Sequence, residues 1–222
     1  MKLIDFHTHN KQQNDDVISI VNQYPKEFEN KYRLTSVGLH PWFIDTETLG
    51  DELETLEQIV RDGKCIVIGE CGLDKKTETP FKIQRLVFKK QLELAEKYQL
   101  PVIIHCVSSF AQVIADKNKI VSESVPLIIH GFAKKVEMAQ QLIDHGFYLS
   151  FGSNLLNSKT LQNSFKNIRL DRVFLETGSH DESIQEIYEF AAELLNISVQ
   201  DLNKQITANF NTVFASQKIT IK

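Results

Sequence analysis

Long apolar runs are missing from these 222 residues: none approaches the roughly 18 that a membrane span requires. A membrane-embedded chain is therefore not expected. Cysteine is scarce. Cys65, Cys71 and Cys106 are the only three, an odd number with no CxxC spacing, which reads most simply as reduced thiols in a reducing cytoplasm. The opening "MKLIDFHTHN" reaches a charge and a histidine too early for a signal peptide, so a cytoplasmic location is the expectation. No GxGxxG and no GxxxxGK[ST] follows any predicted strand, which weakens the nucleotide-binding open sheets. No Lys/Arg cluster stands out, and a net charge of −4 gives no nucleic-acid footprint by itself. Repeats, low-complexity tracts and linkers are also absent, so one domain over residues 1–222 is expected, with no obligate protein partner implied.

What is present is a regular alternation. Hydrophobic residues make up 42% and charged ones 24%, ordinary for a globular chain with one sizeable core. Short, nearly continuous apolar runs predict strands at Leu3–His9, Leu34–His40, Cys65–Gly72, Pro101–Cys106, Pro126–Phe132, Phe147–Gly152 and Arg172–Gly178. Such runs fit strands buried on both faces. Between them, "DELETLEQIVRDG", "FKIQRLVFKKQLELAEKYQLP" and "KKVEMAQQLIDHG" carry helical spacing with Gly or Pro stops. "SIQE" at 183–186 and "SVQD" at 198–201 have the form of capping boxes that open the last two helices. Alternating strands and helices predict a parallel sheet. The length lies near the lower limit of about 200 residues for a TIM-type parallel β/α barrel. No eighth strand is legible after Gly178, so the barrel is expected to be incomplete or irregular at its eighth strand.

Six of the seven histidines fall at or just past a predicted strand's C-terminal end: His7, His9, His40, His105, His130 and His180. That end is where TIM-type barrels gather their active sites. Residues i and i+2 of a strand point the same way, so His7 and His9 can aim two imidazoles at one ion. Glu70 ends the next-but-one predicted strand, and a carboxylate there is costly to bury without a cation or donor. "LPVIIHC" and "PLIIHGF" are near-duplicates that each deliver a histidine. Together these make five ligand-type residues on four strands: His7, His9, Glu70, His105 and His130. Nitrogen and carboxylate donors suit zinc, manganese, iron, nickel or cobalt better than calcium. Five donors exceed the three that one catalytic zinc needs, so a two-metal site bridged by the glutamate is plausible. Asp74, just beyond, is expected to cap or position the following loop.

In order, "DFHTH", "VGLHPW", "GECGLD", "LPVIIHC", "LIIHGF", "YLSFG", "FLET" and "TANFNTVF" resemble the TatD family of metal-dependent hydrolases across nearly the whole chain. The resemblance implies a TIM-like barrel that hydrolyses phosphodiesters, usually as a deoxyribonuclease. It implies one or two divalent ions (Zn, Mn, Mg, Ni, Fe or Co), with DNA a transiently bound substrate. It further implies that His7 and His9 hold one ion, His105 and His130 the second, and Glu70 bridges. His40 lies near the substrate or behind the ligands.

One departure matters. The family pattern "LETD" ends in an aspartate that binds metal and helps activate water, and here the residue is Gly178. Three outcomes follow: replacement of the missing aspartate by Asp181 or His180 from the next loop (with Asp181 the expected catalytic carboxylate and His180 at the substrate), weakened catalysis, or a metal-binding pseudo-hydrolase. A small-molecule amidohydrolase or phosphotriesterase-like enzyme is the competing class. Such enzymes often bridge their metals with a carboxylated lysine on the fourth strand, whereas Glu70 ends the third predicted one.

Overall fold

The structure, a computed structural model, describes residues 2–12 and 14–221. Eight strands follow chain order in one sheet, and every described strand pairing is parallel. They are β1 (Leu3–Thr8), β2 (Val17–Gln23), β3 (Thr35–Val37), β4 (Val67–Asp74), β5 (Val102–Val107), β6 (Leu127–Ile129), β7 (Phe147–Phe151) and β8 (Val173–Leu175). The helices are α1 (Leu49–Arg61), α2 (Phe81–Tyr98), α3 (Phe110–Ile120), α4 (Val136–Asp144), α5 (Asn154–Asn157), α6 (Lys159–Lys166), α7 (Ile184–Leu195) and α8 (Val199–Val213). This is the TIM-type β/α barrel topology expected from the alternation.

The eighth strand does exist, but second in order rather than last. β2 escapes the apolar-run criterion because its first three residues are only partly buried and follow a polar stretch. Counting it moves Glu70 to the fourth strand. The strand-number argument against the amidohydrolase alternative therefore fails, and only the residue type, Glu rather than Lys, still separates the two. "VFLET" likewise becomes the eighth strand. α3, α5 and α6 were not legible either. No described helix is long and apolar enough to cross a membrane.

The contacts group the chain into two compact units: residues 1–21 with 130–222, and residues 22–129. In the first, β8 lies beside β1. Phe6 points outward from β1 and stacks on Phe174 of β8 with ring centroids 3.8 Å apart. Phe214, after α8, sits 6.3 Å from Phe6 and 4.3 Å from Phe210. Because side chains alternate along a strand, Phe6 facing outward sends Asp5 and His7 to the other side. α8 also anchors the start of β8: Asn209 Nδ2 donates to the carbonyls of Leu170 and Val173 at 2.7 and 2.8 Å. The Asn209-to-Phe214 ending is thus a structural brace. Ser183 opens α7 with the expected capping box, and Ser198 opens α8 by accepting from Asp201 N.

In the second unit, β3 pairs with β4, β4 with β5, and β5 with β6. The register of β4 against β5 shifts between Ile68 and Cys71, and the Gly69–Glu70 peptide is cis. A Cβ at Gly72 would lie 2.0 Å from the carbonyl oxygen of His105, so only glycine permits this approach of the two backbones. α2 then fixes two strand ends through buried glutamines seven residues apart. Gln91 accepts from Leu39 N at 2.8 Å and donates to Leu39 O at 3.1 Å. Gln84 does the same for Asp74, at 2.8 and 2.9 Å.

Candidate metal centre

The glutamine clamps hold the residues flanking the second unit's polar cluster. His40 follows Leu39 directly and is 3% exposed. Its Nδ1 accepts from the backbone N–H of Trp42 at 3.1 Å. The ring proton therefore sits on Nε2, which faces Glu70 Oε1 at 3.0 Å. In this tautomer His40 is a donor to Glu70 rather than a metal ligand, in keeping with a place behind the ligands.

His105 stands between two carboxylates. Nδ1 lies 3.1 Å from Glu70 Oε1 and Nε2 lies 3.1 Å from Asp74 Oδ2. Donor atoms of His40, Glu70 and His105 all fall within 4.8 Å of one another. In the tautomer with its proton on Nε2 toward Asp74, His105 would turn the Nδ1 lone pair on the Glu70 carboxylate. Two acceptors that face each other at this distance need a shared proton or a cation between them. A carboxylate behind a histidine is the usual support of a metal ligand. The donors in this unit thus fit a divalent ion held by Glu70 and His105. The backbone N–H of Glu70 donates to Asn22 Oδ1 at 2.7 Å, which fixes the strand end that carries the carboxylate.

Asp74 does more than the loop positioning expected of it. Oδ1 accepts from Lys76 N at 2.8 Å, which shapes the loop, and Oδ2 accepts from Trp42 Nε1 at 2.7 Å. Burial opposes its charge, but the Trp42 indole, the Lys76 N–H and His105 hold its pKa below the usual carboxylate value.

In the first unit the structure brings His7, His9 and His130 together. His7 packs edge-on to His9 with centroids 5.0 Å apart, and lies 4.6 Å from His130. Glu176 backs His130: Oε1 lies 3.3 Å from His130 Nδ1 and accepts from Gly131 N at 2.7 Å. With Nδ1–H directed at Glu176, His130 keeps its Nε2 lone pair for a ligand. Burial opposes the charge of Glu176, yet His130 and then His7 keep its pKa below the ordinary value. Its Oε2 has no hydrogen-bond partner among the described residues. A buried carboxylate oxygen left over beside the imidazoles of His130 and His7 also suits a cation.

Asp5, missed in the sequence, supports the same end of β1. It accepts from Thr177 N at 2.9 Å and from the Thr177 hydroxyl at 2.7 Å. Desolvation raises its pKa to about 7, against the opposing effect of these Thr177 bonds. No local sequence signal marks Asp5 or Glu176 as partners, because the groups they meet lie far away in the chain.

Gly178 continues the β8–β1 pairing with its main chain. Its N–H donates to His7 O and its carbonyl accepts from His9 N, both at 2.9 Å. Its φ is +61°, and a Cβ built there would find only Glu176 Oε1, at 3.9 Å. His180 and Asp181 follow in an exposed loop. They line one groove of about 560 Å³ with Thr8, His9, Thr177 and Gly178. Neither side chain has a polar partner among the described residues.

The sequence matches the family described as TatD related DNase over residues 3–215. It is 29% identical over 203 residues to the uncharacterized metal-dependent hydrolase YabD of Bacillus subtilis, covering 84% of this chain and 79% of that one. It is 25% identical over 195 residues to the uncharacterized metal-dependent hydrolase YcfH of Escherichia coli K12, covering 81% and 72%. The crystal structure of YjjV, a TatD homolog from E. coli K12, superposes with a TM-score of 0.82 at 20% identity, covering 96% of this chain and 98% of that one. A TatD-family hydrolase from Entamoeba histolytica gives 0.79 at 17%, covering 96% and 97%. At such identities the structural likeness concerns the fold.

Proposed function

The chain belongs to the TatD-related family of metal-dependent hydrolases, and from that premise we propose that it cleaves phosphodiester bonds, with DNA ends among its substrates, in a reducing cytoplasm. The observation that carries this reading is the repeated pairing of a metal-type histidine with a buried carboxylate: His105 with Asp74, and His130 with Glu176. We assign one donor set to His7, His9 and His130 and a second to Glu70 and His105; this moves His130 from the pairing with His105 that the family resemblance implies, because its ring lies 4.6 Å from that of His7. A divalent ion bound there supplies Lewis acidity and offsets charge on a phosphodiester oxygen.

The protein's own groups do the rest. Asp74 and Glu176 fix the orientation of His105 and His130. His40 holds the Glu70 carboxylate by an Nε2–H bond. With Gly178 unable to take a proton, Asp181 is assigned that task, accepting it from the attacking water, while His180 contacts the substrate. Their shared groove with His9 and Gly178 supports this assignment. Gly178 itself favours a second reading, a metal-binding protein without catalysis.

Metal content after dialysis, together with cleavage of a single-stranded oligodeoxynucleotide under Mg²⁺, Mn²⁺ or Zn²⁺, separates the two. Bound metal with cleavage abolished by His7→Ala is the expected result. Asp181→Ala should slow cleavage by roughly 10²-fold or more, as loss of a general base does. Metal binding without cleavage selects the second reading. Folded protein that takes up no divalent ion removes both, and unchanged cleavage in Asp181→Ala and His180→Ala withdraws those two roles.

A further inference from the structure

We propose that Trp42 and Phe43 form a stacking subsite for a nucleobase of the substrate, an inference that builds on the phosphodiesterase reading. These two residues are 55% and 58% exposed, the most exposed large apolar side chains described, and they are neighbours. Trp42 is also the only tryptophan in the chain. Their rings stand 6.4 Å apart at 79°, a right-angled corner. A flat ring that stacks on one would present its edge to the other, the two arrangements aromatic pairs prefer.

The corner is held in place before any ligand arrives. The backbone of Trp42 donates to His40 Nδ1, its indole donates to Asp74, and Phe43 N donates to His40 O at 3.0 Å. Tyr24 supports Phe43 from the side, with centroids 5.3 Å apart and planes at 76°. Rings ordered in advance lose little freedom on binding.

The corner also adjoins the metal-type cluster. His40 lies 5.0 Å from the Trp42 ring and 5.5 Å from that of Phe43, and His105 lies 5.6 Å from Trp42. The Asp74 carboxylate that anchors the indole also fixes the turn carrying the exposed Lys75 and Lys76. An exposed aromatic face beside a metal-type cluster matches the base of a phosphodiester substrate better than a purely apolar partner. Stacking of this kind tolerates any base, since every base has a π-face.

The single tryptophan makes the test direct. Trp42 emission is followed during titration with thymidine 5′-monophosphate, with deoxyribose 5-phosphate as the ring-free control and Mg²⁺ throughout. Saturable quenching by the nucleotide alone is expected. Phe43→Ala should weaken binding roughly 5- to 100-fold, the range for loss of one base–aromatic stack, and Phe43→Tyr should restore it. Equal quenching by the sugar phosphate, no quenching, or unaltered affinity in Phe43→Ala overturns the subsite. Oligonucleotide cleavage measured alongside keeps the two ideas apart. Nucleotide stacking without cleavage under any metal preserves the subsite and removes the hydrolase reading. Cleavage that Phe43→Ala leaves undiminished, with silent Trp42 emission, does the reverse.

Discussion

Gly178→Asp is the most informative perturbation. The backbone there has φ +61°, where an L-residue costs roughly 1–2 kcal/mol and aspartate is among the better tolerated. Space is no obstacle, since a Cβ meets only Glu176 Oε1, at 3.9 Å. Charge is the obstacle. An aspartate carboxylate carried on that Cβ lies roughly 4–6 Å from the Glu176 carboxylate, and the two repel by roughly 3–4 kcal/mol at an effective dielectric near 20. Proton uptake limits that cost, so the metal-free variant should lose about 2–4 kcal/mol. For a chain of this length that lowers the melting temperature by roughly 5–15 °C. A divalent cation reverses the sign of the interaction, so saturating metal should close most of the gap. In an Asp181→Ala background, where that base is absent, a new carboxylate that accepts the water's proton should raise cleavage by roughly 10²- to 10⁴-fold. The assay is thermal unfolding in chelator and in excess metal, with oligonucleotide cleavage alongside. An unchanged melting temperature in chelator, or the same deficit with metal, would refute the idea that position 178 faces a cation site.

Three further outcomes follow from the same geometry. Asp74→Asn should weaken divalent-metal affinity by roughly 10- to 100-fold, the usual cost of losing a ligand's carboxylate support; calorimetric titration with Zn²⁺ checks it, and wild-type affinity contradicts the role given to Asp74. Asp5, with its pKa raised to about 7 in the fold, binds its proton more tightly than in the unfolded chain. Its effect on stability is therefore favourable at low pH and lost as pH rises from about 4 to about 7. Urea unfolding in chelator at pH 5 and 7.5 should show that decline in the wild type and a flatter profile in Asp5→Asn; equal slopes count against it. Phe6→Ala should cost about 3–5 kcal/mol in denaturant unfolding, and a loss under 1 kcal/mol would mean the Phe6–Phe174 stack is not a core contact.

Strands buried on both faces were legible because their apolar runs are continuous, as in "LPVIIHC" and "VFLET". β2 was not, since "VISIVNQ" begins half-exposed and carries polar residues at its end. Six of the seven histidines were legible because each stands at or just past a predicted strand terminus, whereas His145 caps a helix. Their supports were not. Trp42 and Asp74 lie 32 positions apart, and Asp5 and Thr177 are separated by 172. No spacing rule reaches such pairs; only the folded backbone brings them into contact. Gln84 and Gln91 looked like ordinary polar positions of a helix, and their role depends on which strand ends the helix faces.

The single oxygen Asp74 Oδ2 serves both the Trp42 indole and the His105 imidazole. A ring that settles on Trp42 and a cation that settles at His105 therefore act on the same atom. Whatever free energy one transfers to the other must be returned in equal measure. At the proposed subsite, a base that tightened the indole's bond would tune the affinity for the ion, and the ion would tune the affinity for the base by the same factor. The carboxylate thus makes recognition and chemistry two readings of one equilibrium.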